Sequence, residues 1–301
     1  MKKIDIFVPR NAKQYQYISL MTYRHLAIRT NLMMRNLKWI IPMLLITSAL
    51  RAQTLEVGVF GGGAYYVGDI NPALHFNQLQ PSFGAVARYN AGTRWAFRLS
   101  LTTAEVTADD SKVKFDEDRQ LGFKTRINDA SVVAEFNFLE YFTGSRKDYF
   151  TPFIFGGFSV FQFTPKSLDG VSLRPLGTEG QNIGFDGRKK YSNIGFSVPF
   201  GIGFKYSITK RLGMAVEWRM HKTFTDYIDD VSTTYYLSGP LINPANEEQF
   251  LSDPAMIHEP YMQRGNRKTN DWFNYTGVSL TYKFNLGNRR SCNTFDNNIS
   301  R

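Results

Sequence analysis

The sequence predicts an all-β fold, an eight-stranded antiparallel transmembrane β-barrel with short periplasmic turns and long extracellular loops. Apolar and polar residues alternate with a period of two in eight segments of the chain. The apolar face is unbroken and rich in aromatic residues, whereas the other face carries charge and glycine. Connections alternate between short and long, as they do in outer-membrane barrels. A soluble sandwich would also alternate, but it would not require this sidedness.

The N-terminal segment 1–52 is predicted to be an extension plus a secretory signal peptide. "MMRNLKWIIPMLLITSALRAQ" has a basic start, an apolar run and a small residue at Ala52, where we expect cleavage. We expect the true start to be Met33 or Met34. The formal net charge is +10, but nine basic residues and one acidic residue precede Gln53. The remaining chain is therefore close to neutral, which argues against a nucleic-acid partner.

The first strand of the barrel begins at the predicted mature N-terminus with "EVGVFGGGAYYVGDIN". A phosphate-binding loop would need a Gly-Lys-Ser/Thr sequence that opens a helix. Here Gly63 precedes Ala64 and two tyrosines, and Asn71-Pro72 ends the segment. The glycines instead indicate a strand that allows close approach and curvature.

The remaining strands follow from the same alternation, which is clearest in "NYTGVSLTYKFNL" and "NIGFSVPFGIGFKY". Short joins are expected at "NAGTR", "TGSRKD" and "ITKRLG". The barrel is assigned to 53–287 and a periplasmic C-terminal tail to 288–301. The eight predicted strands are 54–68, 81–91, 94–107, 127–142, 149–164, 191–207, 213–227 and 273–286.

Charged residues on the inward faces predict a salt-bridged interior rather than an open pore. An eight-stranded barrel is just wide enough for side chains to fill it, and buried charges must be paired. A proton relay or a narrow pore is the alternative. The interior charge network is predicted to comprise Glu56, Arg88, Arg98, Glu135, Lys205, Glu217, Arg219, His221 and Lys283.

Catalytic and metal chemistry find little support in the sequence. The single cysteine, Cys292, forms no internal disulfide and no cysteine-rich metal site. His75 and His258 fall in outer loops and His221 in a strand, and no spacing singles out a nucleophile. We therefore expect no catalytic residues, no cofactor and no metal.

"TFTDYIDDVSTTYY" is the densest local feature, with three aspartates within five residues. Such carboxylates can bind Ca²⁺, but the 12-residue calcium-loop pattern is absent. The favoured interpretation is a solvated acidic rim above an aromatic girdle formed by Tyr227, Tyr235 and Tyr236.

Three stretches together resemble the PorG-type outer-membrane β-barrel family, which is associated with type IX secretion in the Bacteroidetes. They are "GGGAYYVGDIN", "TDYIDDVSTTYY" and "NDWFNYTGVSLTYKF", and the similarity covers about 53–287. The motif residues are Asp226, Tyr227, Asp229 and Asp230. The resemblance implies an accessory component of the secretion machinery whose barrel contacts periplasmic ring proteins. "TGVSLTYKF" also resembles the terminal strand signal read by the barrel-assembly machinery, although about 15 residues follow it.

Basic residues at the predicted periplasmic end indicate a binding partner, independently of the family resemblance. Seven cations on one small rim would attract an acidic protein, or alternatively lipid phosphates. The candidate periplasmic interface comprises Arg94, Arg146, Lys147, Lys210, Arg211, Arg289 and Arg290.

Three functions remain open at this point. The first is a non-enzymatic accessory barrel of the type IX secretion machinery in the cell outer membrane, in contact with lipid and periplasmic ring proteins. The second is a stand-alone structural or adhesive barrel whose outer loops bind ligands. The third, which the sequence favours least, is a lipid-modifying outer-membrane enzyme.

Overall fold

The computed structural model describes residues 54–116 and 118–285, and in it the predicted barrel is present. Eight antiparallel strands pair in sequence order, and β1 closes on β8. The predicted signal peptide and the predicted C-terminal tail, which includes Arg289 and Arg290, lie outside the described residues. The strands are β1 Thr54–Val67, β2 Gln80–Asn90, β3 Trp95–Asp109, β4 Gly122–Asn137, β5 Phe150–Ser167, β6 Ile194–Ser207, β7 Leu212–Thr223 and β8 Trp272–Asn285.

The barrel closes with a register shift of ten residues. A path that starts at Gln162 on β5 and moves from each residue to its paired residue on the next strand goes once around the barrel. It arrives back on β5 at Pro152, ten residues from its start. Such a stagger requires strands that are tilted against the barrel axis. Because the side-chain period is two, this register sends every second residue of each strand into the lumen.

The two ends of the barrel differ, as the sequence predicts. At one end, called the turn end here, lie the joins 91–94, 138–149 and 208–211. At the other, the loop end, lie 68–79, 110–121, 168–193 and 224–271. In the described residues, the loop-end joins contain three short α-helices, α1 Asp110–Val113, α2 Leu173–Leu176 and α3 Glu247–Ser252, and two 3-10 helices. Among the described residues, no helix has the length and apolar character to cross a membrane.

Two strands, β4 and β7, have bounds that differ from the prediction by four residues or more. β4 begins at Gly122 and ends at Asn137, five residues earlier than expected, so the join "TGSRKD" becomes 138–149. The prediction began the strand where its outer face becomes apolar. In the structure the strand begins earlier, because exposed Lys124 and Arg126 alternate with buried Phe123 and Thr125. β7 ends at Thr223 rather than at 227, because the acidic motif folds inward instead of extending the strand.

Glycines bring β1 and β8 unusually close at the seam of the barrel. A Cβ on Gly58 would lie 1.9 Å from the carbonyl oxygen of Leu280. A Cβ on Gly62 would lie 2.1 Å from that of Thr276. In contrast, a Cβ on Gly61 would meet nothing within 4 Å. The glycine run is therefore a closing strand, with no helix at its end.

The outer face of the barrel is apolar and exposed. Large aliphatic and aromatic side chains point outward from all eight strands, among them Val59, Phe83, Leu101, Val132, Phe158, Phe196, Ile202, Val216 and Leu280. Their exposure has no counterpart in a soluble monomer, which rarely shows a contiguous apolar surface of this extent.

Inside the barrel, the half nearer the loop end is filled by apolar side chains. Phe60, Phe161 and Phe273 are at most 2% exposed and belong to one buried cluster. The cluster continues into the loops through Ile70, Leu173 and Ile228. The four loop-end joins therefore pack over the barrel as one unit, which we call the loop cap.

Candidate functional site

The half of the lumen nearer the turn end holds a continuous network of ion pairs. Arg88 bridges two glutamates, with 2.9 Å from Nη1 to Glu56 Oε2 and 2.8 Å from Nε to Glu135 Oε2. Arg98 pairs with Glu135 at 2.8 Å and also with Glu217. All of these side chains are buried, so each charge depends on its partners in place of water.

Two more cations complete the network. Lys205 Nζ lies 2.6 Å from Glu135 Oε2 and donates to Asn137 Oδ1 at 2.8 Å. Arg219 Nη2 lies 3.1 Å from Glu217 Oε1, and its guanidinium packs over the ring of Tyr275 at 4.9 Å. Lys283 is half-buried at the turn end and donates to the carbonyl oxygen of Thr143. The structure thus brings eight of the nine residues proposed for the network into the buried lumen and places the ninth at its edge.

His221 lies above the ion pairs in a polar pocket that sequence reasoning missed. Its Nδ1 is 3.0 Å from Ser197 Oγ, 3.4 Å from Ser159 Oγ and 3.8 Å from Asp129 Oδ1. A Ser-His-Asp relay needs the acid and the serine on different ring nitrogens. Here both face the same nitrogen in a fully buried site, so the geometry does not form such a relay. The alternation of β4 places Asp129 on the inward face, so the sequence pattern was sufficient to predict Asp129 as a residue of the lumen.

The acidic motif is buried, which overturns the interpretation of a solvated rim. Asp226, Asp229 and Asp230 are 8%, 1% and 0% exposed. The tyrosines do not form a lipid-facing girdle either, because Tyr235 is buried against His258 and Tyr227 stacks on Tyr191 at 4.4 Å. The loop that carries the motif turns back over the lumen, so these residues form the interior of the loop cap.

Two arginines hold the loop cap together. Arg119 pairs with Asp110 at 2.7 Å and donates to the carbonyl oxygens of Asp69 and Arg264. Arg264 pairs with Glu179 at 3.2 Å and donates to the carbonyl oxygen of Asp230. These contacts join all four loop-end connections. They link residues far apart in sequence, so no local pattern predicted them.

A tyrosine of β1 lies between two carboxylates at the base of the longest loop. Tyr66 Oη is 2.6 Å from both Asp229 Oδ2 and Asp271 Oδ1. The other oxygens of these carboxylates accept from the backbone N–H groups of Val231 and Ile228, at 2.9 and 2.8 Å. A hydroxyl has one proton to donate. Two such short contacts therefore require that one of the two carboxyl groups is protonated.

Burial explains why a proton is retained there. Desolvation, together with the neighbouring carboxylates, raises the pKa of Asp229 and of Asp271 well above the usual value. Burial raises the pKa of Asp226 to about 9 and that of Asp69 and Asp230 to about 6. The buried acidic groups of the loop cap outnumber its two buried arginines. Protons bound to some of the carboxyl groups reduce the excess of negative charge.

The remaining histidines sit in separate environments. His258 Nδ1 is 2.8 Å from Asp253 Oδ1 in the loop cap. His75 lies in the part of the join 68–79 that leaves the loop cap, packs against the outside of the barrel and covers Tyr65 and Trp218. Within 54–116 and 118–285, no group of three or more His, Cys, Asp or Glu side chains is arranged to hold a metal ion.

The turn end brings two of the basic turns together. A Cβ on Gly144 would lie 2.4 Å from the carbonyl oxygen of Lys210, so the turns containing Arg146 and Lys210 are adjacent. Arg146, Lys147 and Lys210 are exposed and form no ion pair with any described residue. Two further members contact the barrel itself, since Arg94 donates to the carbonyl oxygen of Phe138 and Arg211 to Tyr282 Oη at 2.9 Å.

Fold and interior together define a closed eight-stranded antiparallel β-barrel with a lumen filled by side chains. The chain belongs to the family described as a domain of unknown function, DUF6089, whose model matches residues 34–236. No curated protein sequence is significantly similar to the chain.

Several solved outer-membrane barrels resemble the chain loosely. Ail of Yersinia pestis is 9% identical with a TM-score of 0.39 over 77% of this chain and 99% of its own. OprG of Pseudomonas aeruginosa is 11% identical with a TM-score of 0.40 over 79% of this chain and 99% of its own. Neisserial surface protein A is 11% identical with a TM-score of 0.38, over 76% and 97% of the two chains.

Proposed function

We propose that the protein is an integral barrel of the outer membrane and a non-enzymatic accessory component of the type IX secretion machinery, which holds periplasmic ring proteins at the membrane. The apolar outer face supports the membrane location, because exposed side chains such as Phe158 and Phe196 need lipid around them. The short joins then face the periplasm and the loop cap faces outward.

The filled lumen argues against transport through the barrel. Ion pairs occupy one half and aromatic side chains the other, and the loop cap lies above both. A role that uses the barrel as an anchor needs no open channel. The resemblance of the motif around Asp226 and Asp229 to PorG-type proteins suggests which assembly is anchored.

The observation that carries the proposal is the joined basic surface at the turn end. Arg146, Lys147, Lys210 and Arg211 lie in two adjacent turns, and turn geometry does not require positive charge. Clustered cations that lack carboxylate partners favour encounter with an acidic protein surface. Phosphates of the inner leaflet are the competing partner for the same charges.

Charge reversal tests the proposal. The variant replaces Arg146, Lys147, Lys210 and Arg211 with Glu, and the matched control reverses Lys189, Lys190, Arg267 and Lys268 in the loop cap. Both are expressed in cells that contain the secretion machinery, and periplasmic proteins that co-purify are quantified at two salt concentrations. We expect the first variant to lose the ring proteins, most strongly at low salt, and the control to retain them.

Equal recovery with both variants would leave lipid phosphates as the partner of the basic turns. Recovery of no ring protein even with the natural sequence would refute the secretion role. Membrane fractionation of the same cells tests the location separately, because binding to ring proteins and binding to lipid phosphates both require a barrel in the outer membrane.

A stand-alone adhesive barrel is the second candidate, and the folded loop cap favours it. Arg119 and Arg264 fix the loops into one rigid surface, which is suited to ligand binding. A lipid-modifying enzyme finds less support, since the buried Ser197 and His221 are closed off from substrate.

A further inference from the structure

The outer face of β4 and β5 changes from apolar to cationic toward the loop end, next to Glu105 on the outer face of β3. Leu101, Val132 and Phe158 are exposed and apolar on these strands. Farther toward the loop end, the exposed outward residues include Lys124, Arg126 and Lys166. The positions share one face because each lies an even number of residues from its apolar neighbours on the same strand.

The three cations are crowded, and of the three only Arg126 lies directly opposite a carboxylate, Glu105 on β3. Lys124 and Lys166 are directly paired across β4 and β5, and Arg126 follows two residues along β4. Like charges directly opposite each other on a sheet are destabilising. None of the three forms an ion pair or a side-chain hydrogen bond with another described residue. A bound anion would relieve their repulsion.

The cations line a groove with limited negative charge. The groove has a volume of about 510 Å³, and Glu105 and Asp169 are its acidic residues. Three cations and two carboxylates leave an excess of one positive charge. That balance suits a single phosphate group better than a polyanion such as nucleic acid, which would bring several charges.

A second, apolar groove adjoins the first on the side away from the loop end. It has a volume of about 530 Å³, and Phe83, Leu101 and Ala130 line it. Its Thr103 and Asn128 lie two residues along the strands from Glu105 and Arg126, a distance of about 7 Å.

We propose that these two grooves bind one phosphorylated glycolipid of the outer leaflet. Its phosphate lies among Lys124, Arg126 and Lys166, and one acyl chain lies along Phe83 and Leu101. Lysine and arginine are the usual binders of phosphate, and an apolar groove facing lipid is filled by a chain. This site rests on the proposed outer-membrane location and is independent of the type IX secretion role.

Lipid retention by the purified, folded barrel tests the site. Native mass spectrometry counts lipids bound after incubation in detergent with lipid A, with dephosphorylated lipid A, or with inorganic phosphate. The variant K124Q/R126Q/K166Q removes the cations, and A130L fills the apolar groove. K189Q/K190Q/R267Q is the matched control, since it neutralises three loop-end cations outside the grooves.

We expect one lipid A to bind the natural sequence and the control, and affinity to fall at least tenfold in the triple variant and in A130L. Dephosphorylated lipid A and inorganic phosphate should each bind at least tenfold more weakly than lipid A. Equal retention by the triple variant, or equal binding of the dephosphorylated lipid, would overturn the proposal. Heat-dependent mobility in gels verifies that each variant is folded, and cell fractionation reports separately on the membrane location.

Discussion

At the scale of single residues, the contact of Tyr66 with Asp229 and Asp271 makes the most specific demand on chemistry. One hydroxyl proton serves two carboxyl groups at 2.6 Å, so a second proton must be present. An asparagine can replace the protonated carboxyl group, because its amide donates to Tyr66 Oη while its oxygen accepts from the backbone.

We therefore predict that D229N and D271N are each tolerated, whereas D229N/D271N is not. In the double variant two amides face the phenol, and its own proton has no acceptor. An orphaned buried donor costs about 1–3 kcal/mol. Limited proteolysis of the join 224–271 measures the effect. Equal protease resistance of the double and single variants would contradict a shared proton.

The raised pKa values in the loop cap predict a dependence on pH with a definite sign. A carboxyl group whose pKa is raised on folding is bound to its proton more tightly in the folded state. Its contribution to stability is present below about pH 4 and is lost as pH rises through the folded pKa. For Asp69 and Asp230 that pKa is about 6, and for Asp226 about 9.

We expect the loop cap to become more susceptible to protease as pH rises from 5 to 9, while the barrel stays folded. The positive charges of Arg119 and Arg264 attract Asp69 and Asp230 once these carboxyl groups are deprotonated, so the change should be gradual. D226N should flatten the upper part of the profile, because it removes a carboxyl group whose pKa is raised to about 9. A protease profile that is flat for the natural sequence would contradict the prediction.

At the scale of elements, strands were predictable and loop contacts were not. A strand shows its period within ten residues, so the alternation of β6 and β8 identified both strands and their inward faces. The expectation of an apolar outer face misplaced β4, because β4 continues past the apolar belt with Lys124 outward. The loop cap depends on contacts such as Tyr66 with Asp271, 205 residues apart, which leave no local pattern.

The seam between β1 and β8 yields a prediction about closure of the barrel. We expect G62V to impair folding, since its Cβ would lie 2.1 Å from the carbonyl oxygen of Thr276. Overpacking of this kind costs about 1–3 kcal/mol or more. G61A is the matched control on the same strand, where nothing lies within 4 Å. Heat-dependent mobility in gels reports folding, and equal behaviour of the two variants would contradict a close seam.

At the scale of the whole molecule, charge and apolar surface are arranged by depth. Ion pairs around Glu135 lie toward the turn end, aromatic residues such as Phe161 lie above them, and the buried acids of the loop cap lie beyond. The three layers follow one another along the lumen, so removal of one leaves the other two as a barrier. A channel would need a continuous wet path through all three.

We therefore predict that the purified barrel forms no large, stable conductance steps in planar bilayers, at neutral pH or at pH 9. Raising the pH should loosen the loop cap, but the aromatic layer and the ion pairs of Arg88 and Arg98 still fill the lumen. A sixteen-stranded porin in the same bilayer is the positive control, since open channels need about that many strands. Large steps from the natural barrel would contradict a filled lumen. Steps that appear at pH 9 and not at neutral pH would show that the loop cap, rather than the layers below it, is the main barrier.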